Sequence, residues 1–96
     1  MTTSSVVVIG GGIAGLAAAY ELSGGATGPG LHTPRVEVIE SQPRWGGSLA
    51  TTEFAGRTLD LGADGFLARR PEVVDLVRDL GQEADLEPIA ASWAWL

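Results

Sequence analysis

The chain has 96 residues, 45% of them apolar, with a formal net charge of −6 and no cysteine. This length allows one domain at most and a modest core, and the missing cysteines exclude disulfides, thiolate metal sites, thiol catalysis and a cysteine-linked flavin within this stretch. Every basic residue is an arginine, and none stands in a cluster long enough to follow a nucleic-acid backbone, so nucleic acid is not an expected partner.

Residues 1–5 carry no positive charge, and the apolar run behind them is broken by glycines before it could act as a signal or cross a membrane. The expected location is cytoplasmic, with no transmembrane segment. Val6-Val7-Val8-Ile9 reads as a strand, Gly10-Gly11-Gly12-Ile13-Ala14-Gly15 as a turn, and Leu16-Ala17-Ala18-Ala19-Tyr20-Glu21-Leu22 as a helix. Gly10, Gly12 and Gly15 fill G-x-G-x-x-G. The first glycine permits the tight turn, the second lets a pyrophosphate approach the backbone, and the third lets helix and strand pack closely. The helix N-terminus then offers N–H groups to the phosphates.

Ser23 to Pro34 reads as a surface loop, because its glycines and prolines stop the helix and cannot start another. His32 lies in it and is read as solvated. A second apolar run, Val36-Glu37-Val38-Ile39, ends on Glu40, placed to close a βαβ unit by accepting a hydrogen bond from a ribose hydroxyl. The same carboxylate would repel a 2′-phosphate, which disfavours NADP; the bland alternative is a solvated carboxylate at a strand end.

In Ser41-Gln42-Pro43-Arg44-Trp45-Gly46-Gly47-Ser48 the adjacent glycines can bring backbone N–H groups against a ligand, and Arg44 offers a cation to the pyrophosphate. An ordinary turn with a surface arginine is the alternative. Disulfide reductases place a cysteine after a similar glycine pair; Ser48 and Leu49 stand here, which excludes that class. Thr51 to Phe54 and Arg57 to Asp60 predict a hairpin turning at Ala55-Gly56. Beyond it, Gly62, Ala63 and Gly65 would let backbone lie flat against a planar ring. Asp64 would either hold a charged group near that ring or satisfy backbone in the turn.

Pro71 suits a first helical position, Glu72 and Asp75 complement the dipole, and Val73, Val74, Leu76, Val77 and Leu80 supply apolar faces before Gly81. Arg69 and Arg70 crowd the positive end of that helix. Either Glu72 and Asp75 neutralise them or they attract an anion. Trp93 and Trp95 alternate as in a strand, and a chain stopping there is expected to be cut rather than complete.

Taken together, Val6 to Ala18, then Glu40-Ser41 with Arg44-Trp45-Gly46-Gly47, then Leu61-Gly62-Ala63-Asp64-Gly65-Phe66-Leu67-Ala68-Arg69-Arg70-Pro71-Glu72, resemble the start of the oxygen-dependent protoporphyrinogen and coproporphyrinogen oxidases of the FAD-dependent amine oxidase superfamily. The last motif is the more specific to bacterial porphyrinogen oxidases. The resemblance implies an α/β fold: the N-terminal βαβ of a Rossmann-like FAD-binding domain, with a following hairpin and helix, the domain being incomplete. Residues 1–96 would form the N-terminal part of that domain, with a substrate domain starting at about residue 86.

It further implies that Gly10, Gly11, Gly12, Ile13, Ala14 and Gly15 hold the FAD pyrophosphate and that Glu40 and Ser41 hold the adenosine ribose. Arg44, Gly46, Gly47 and Ser48 would flank the phosphates and ribityl chain, and Gly62, Ala63, Asp64 and Gly65 would approach the isoalloxazine. Ser48 departs from the arginine common in amine oxidases. The implied reaction is oxidation of a porphyrinogen with oxygen in heme biosynthesis, tilted toward the coproporphyrin branch. No catalytic residue and no metal is assigned, and the substrate pocket, like any peripheral membrane contact, is expected beyond Leu96; the piece alone is expected to be inactive. The alternatives are another amine oxidase-like FAD enzyme, an NAD-dependent dehydrogenase, which has no reason for the Arg44-x-Gly46-Gly47 loop, and a non-catalytic truncated product.

Overall fold

The structure, a computed structural model, describes residues 4–62 and 65–88. The chain divides into two compact units, Met1–Gly65 and Phe66–Leu96. In the first, β1 (Ser5–Ile9) leads through the glycine turn into α1 (Ile13–Leu22) and returns as β2 (Arg35–Ile39). The two strands run parallel with Val6 opposite Val36 and Val8 opposite Val38. Side chains alternate across a strand, so these four valines share one face. That face is half-buried, and α1 packs on both strands. The opposite face is open, with Val7, Ile9 and Ile39 exposed by 53%, 84% and 50%. Among the described residues no apolar side chain is fully buried.

The segment after α1 corrects one expectation. Gly25–Thr27 forms a short 3₁₀ turn instead of unbroken loop. Gly24 and Gly25 adopt φ of +113° and +56°, and the N–H of Gly28 donates back to the carbonyls of Gly24 and Gly25. A Cβ at Gly24 would collide with the Gly28 carbonyl, so the glycines that forbid a long helix permit this tighter turn.

β3 (Thr51–Phe54) and β4 (Arg57–Asp60) pair antiparallel, Thr51 opposite Asp60 and Phe54 opposite Arg57, as the sequence predicts. Ala55 and Gly56 both have positive φ, 53° and 77°, the pattern of a type I′ turn, whose twist suits a two-residue hairpin. All residues of both strands are exposed.

In the second unit, α2 (Pro71–Asp79) starts with Pro71 in its first turn and carries half-buried Val73, Val74, Leu76 and Val77. Its end is a Schellman motif: Gly81, at φ +73°, donates to the Arg78 carbonyl and Gln82 to the Val77 carbonyl. Asp75 forms no ion pair with the arginines before the helix. It pairs instead with Arg78 at 3.4 Å, one turn along its own helix. Arg78 also binds Glu83 at 3.2 Å, which raises the guanidinium's pKa and lowers that of Glu83. Trp93 and Trp95 lie outside the described residues.

Candidate dinucleotide-binding site

The site grows from the end of β1. Gly10 turns the chain at φ +106°, a conformation that suits glycine, and its N–H donates to the Ile39 carbonyl at 2.8 Å, tying the turn to the end of β2. Gly12 is the N-cap of α1; its carbonyl accepts the Leu16 N–H at 3.0 Å, and no side chain caps the helix. Ile13, Ala14 and Gly15 form the first turn of α1. A Cβ at Gly15 would collide with the Gly10 carbonyl, which is the close helix–strand approach expected of the third glycine. At Gly12 the situation is the reverse. The nearest atom to a Cβ there is the Gly47 Cα at 4.0 Å, so the second glycine borders open space beside an uncapped helix start. That space and those first-turn N–H groups suit a pyrophosphate.

The second glycine pair comes to the first. Gly46 donates its N–H to the Gly11 carbonyl at 2.8 Å, Gly12 and Gly46 form an isolated parallel β-bridge, and a Cβ on Gly47 would stand 3.1 Å from the Gly12 Cα. Gly46 and Gly47 adopt φ of +112° and +57°. Two clusters more than thirty positions apart in sequence thus make one surface, which no local pattern announces.

Glu40 fastens the same corner. Its Oε1 accepts the Gly11 N–H at 2.7 Å, and its Oε2 accepts the Gln42 N–H at 2.8 Å and the Ser41 hydroxyl at 3.5 Å. The Gln42 N–H, then the Gly11 N–H, stabilise the charged form and lower the pKa of the carboxyl below its ordinary value. Glu40 is therefore an ionised acceptor at neutral pH, beside the start of α1.

Arg44 does not stand free. Its guanidinium donates to the carbonyls of Gly47 at 2.8 Å, Leu49 at 3.3 Å and Trp45 at 3.4 Å, within its own turn. Ser48 contributes backbone: its carbonyl lies where a Cβ of Gly62 would be, so the need for glycine at 62 is met by packing inside the chain. Nothing approaches a Cβ at Gly65 within 4 Å. Ala63 and Asp64 lie outside the described residues.

Three participants escape the sequence reading. Trp45 lies against Gly11, where a Cβ would collide with its ring, and Gln42 and Leu49 act through backbone atoms that carry no sequence signal. A bulky aromatic immediately before two glycines is the one cue that could have drawn attention to Trp45. Next to this corner, Arg44, Trp45, Leu49, Ala50, Thr51 and Asp60 line a cleft of about 460 Å³. Among the described residues no group of three or more His, Cys, Asp or Glu could hold a metal ion, and no helix is long and apolar enough to cross a membrane.

A parallel strand pair, a glycine turn opening a helix and an acidic residue closing the second strand define a dinucleotide-binding α/β unit. The chain belongs to the NAD(P)-binding Rossmann-like domain family, whose model matches residues 8–80. It is 46% identical over 81 residues to the coproporphyrinogen III oxidase of Mycobacterium leprae (strain TN), covering 84% of this chain and 17% of that protein. It is 40% identical over 78 residues to the coproporphyrinogen III oxidase of Bacillus subtilis (strain 168), covering 81% and 16%. A crystal structure from Exiguobacterium sp. 255-15, which bears the provisional name protoporphyrinogen oxidase, superposes with a TM-score of 0.72 at 33% identity, over 88% of this chain and 18% of that one. The chain thus spans about a sixth of the length of the curated relatives it matches. The resemblance to porphyrinogen oxidases read from the sequence is borne out.

Proposed function

We propose that this chain supplies the pyrophosphate- and ribose-binding corner of an FAD-dependent oxidase that acts on a porphyrinogen in heme biosynthesis. The substrate is coproporphyrinogen III or protoporphyrinogen IX, with oxygen as acceptor, and the setting is the cytoplasm. The observation that carries the reading is the joined corner itself: Gly12 open beside the start of α1, with the ionised Glu40 carboxylate fastened to Gly11. The names of the relatives supply the substrate class. The residues present fit a dinucleotide. The first turn of α1 would face the pyrophosphate with N–H groups, Gly12 would admit it without a side chain, and Glu40 would accept from the ribose while opposing a 2′-phosphate.

When bound, FAD supplies the acceptor for hydride equivalents removed from the porphyrinogen, with reoxidation by oxygen yielding hydrogen peroxide. The chain's own part is to bind and orient. Gly10 and Gly15 set the turn and the helix, Glu40 and Ser41 set the ribose, and Gly46 and Gly47 set the loop beside the phosphates. No residue of this stretch is assigned a catalytic role. Gly65 and the adjoining Ala63 and Asp64 are proposed to approach the ring.

The test uses the full-length protein that carries this sequence. Denaturation should release free FAD, and porphyrin fluorescence should grow when coproporphyrinogen or protoporphyrinogen is supplied with oxygen. Colour that stays with the polypeptide would overturn the non-covalent FAD site. Peroxide release from simple amines, with neither porphyrinogen oxidised, would overturn the substrate class in favour of an amine oxidase.

A further inference from the structure

The sequence offers Arg44 as a cation for the pyrophosphate, yet its guanidinium is engaged inside its own turn. Nη2 donates to the Gly47 carbonyl at 2.8 Å, and Nη1 donates to those of Leu49 at 3.3 Å and Trp45 at 3.4 Å. Three carbonyl dipoles converging on one point repel one another and repel any anion beside them. A planar guanidinium with five N–H groups can meet several of them at once, whereas an ammonium is a point charge on a flexible stem. The turn so gathered is the one whose Gly46 N–H reaches the Gly11 carbonyl at 2.8 Å and whose Gly47 stands against Gly12. Gly46 is confined by the same arrangement, since a Cβ there would lie 2.8 Å from the Leu49 carbonyl and 3.6 Å from Nη1 of Arg44.

We propose that Arg44 is a positioning residue and not a phosphate ligand: by collecting the carbonyls of Trp45, Gly47 and Leu49, it holds Gly46 and Gly47 against the first glycine turn and so preforms the dinucleotide corner. The proposal rests on the dinucleotide reading of that corner but makes a separate claim about the loop in the absence of ligand. A preformed loop binds more tightly because it has less ordering to undergo on binding.

Arg44→Lys and Arg44→Met, made in the full-length protein, separate the two roles. In ligand-free protein, hydrogen exchange at the Gly46 and Leu49 amides should quicken by about tenfold or more in both variants, with β1 and β2 amides unchanged. FAD affinity should fall by about tenfold, equally at low and high salt, with lysine no better than methionine. Restoration of affinity by lysine, together with a loss that fades as salt is added, would make Arg44 a phosphate partner and overturn the proposal. Unchanged exchange at Gly46 and Leu49 would overturn it as well. Should the wild-type protein bind no FAD, the functional reading fails while the exchange comparison still decides the bracing.

Discussion

Gly12 and Gly15 show that two glycines of one motif can be required for opposite reasons. A side chain on Gly15 meets the Gly10 carbonyl, while one on Gly12 meets open space. On the proposed FAD reading, Gly12→Val should therefore leave the β1–β2 pairing intact and weaken FAD by about tenfold or more, because the branched side chain would occupy the open space proposed for the pyrophosphate. Gly15→Val should destabilise the fold itself by roughly 1–3 kcal/mol through overpacking. Flavin titration beside a denaturant melt distinguishes the two; full flavin occupancy in Gly12→Val would show that the phosphates lie elsewhere.

Glu40 adds a pH dependence at the same scale. Its folded pKa is depressed, by the Gln42 N–H first and the Gly11 N–H next. A group with a depressed folded pKa contributes stability that is present above its unfolded pKa and lost as pH falls through the folded value. Acidification through the carboxylate range should loosen the Gly11 and Gln42 amides in the wild type. In Glu40→Gln those amides should exchange at a rate insensitive to that titration, once the intrinsic pH dependence of exchange is removed. Glu40→Ala should raise the flavin requirement with little change in turnover at saturation, and an unchanged FAD dissociation constant would return the residue to a purely local role.

Among the elements, the β3–β4 hairpin carries a visible misfit at its turn. Ala55 holds φ 53°, where an L-residue other than asparagine or aspartate costs about 1–2 kcal/mol. Asn-Gly is the preferred pair for this turn, so Ala55→Asn should stabilise the hairpin by a few tenths to about 1 kcal/mol, read as slower exchange of the β3 and β4 amides. Faster exchange would mean that the turn is not of the I′ kind. At α2 the corresponding device is already optimal, since Gly81 sits at φ +73° in the Schellman position, and Gly81→Ala should cost about 1 kcal/mol of helix stability.

On the scale of the whole chain, these 96 residues carry a net charge of −6, which disfavours anions near this stretch. Arg69 and Arg70 stand against that trend. Arg70 is the N-cap of α2, and among the described residues neither arginine forms an ion pair; Asp75 and Glu83 pair with Arg78. Under the porphyrinogen reading, the double variant Arg69→Ser, Arg70→Ser should raise KM for the carboxylate-bearing substrate severalfold at low salt, with the effect shrinking as salt is added and FAD content unchanged. A salt-independent rise would point to direct contact, and no rise would remove the arginines from substrate attraction.

What the sequence determined by itself is what local chemistry dictates. Apolar alternation, a glycine turn and alanine-rich helix, an acidic residue at a strand end, a two-residue turn and a proline-started helix are properties of neighbouring residues, and β1, β2, the hairpin and α2 stand within a residue of where those signals place them, while α1 begins at Ile13, three residues before the start read at Leu16. Tertiary structure alone decided which residues meet. The Gly46 N–H on the Gly11 carbonyl, Trp45 against Gly11, the Ser48 carbonyl against Gly62 and the engagement of Arg44 with three carbonyls all depend on the positive φ angles of Gly46 and Gly47 and on a chain that returns through β2. The physical reason is that a glycine advertises conformational freedom without saying which conformation it takes, and a backbone carbonyl has no letter of its own in the sequence.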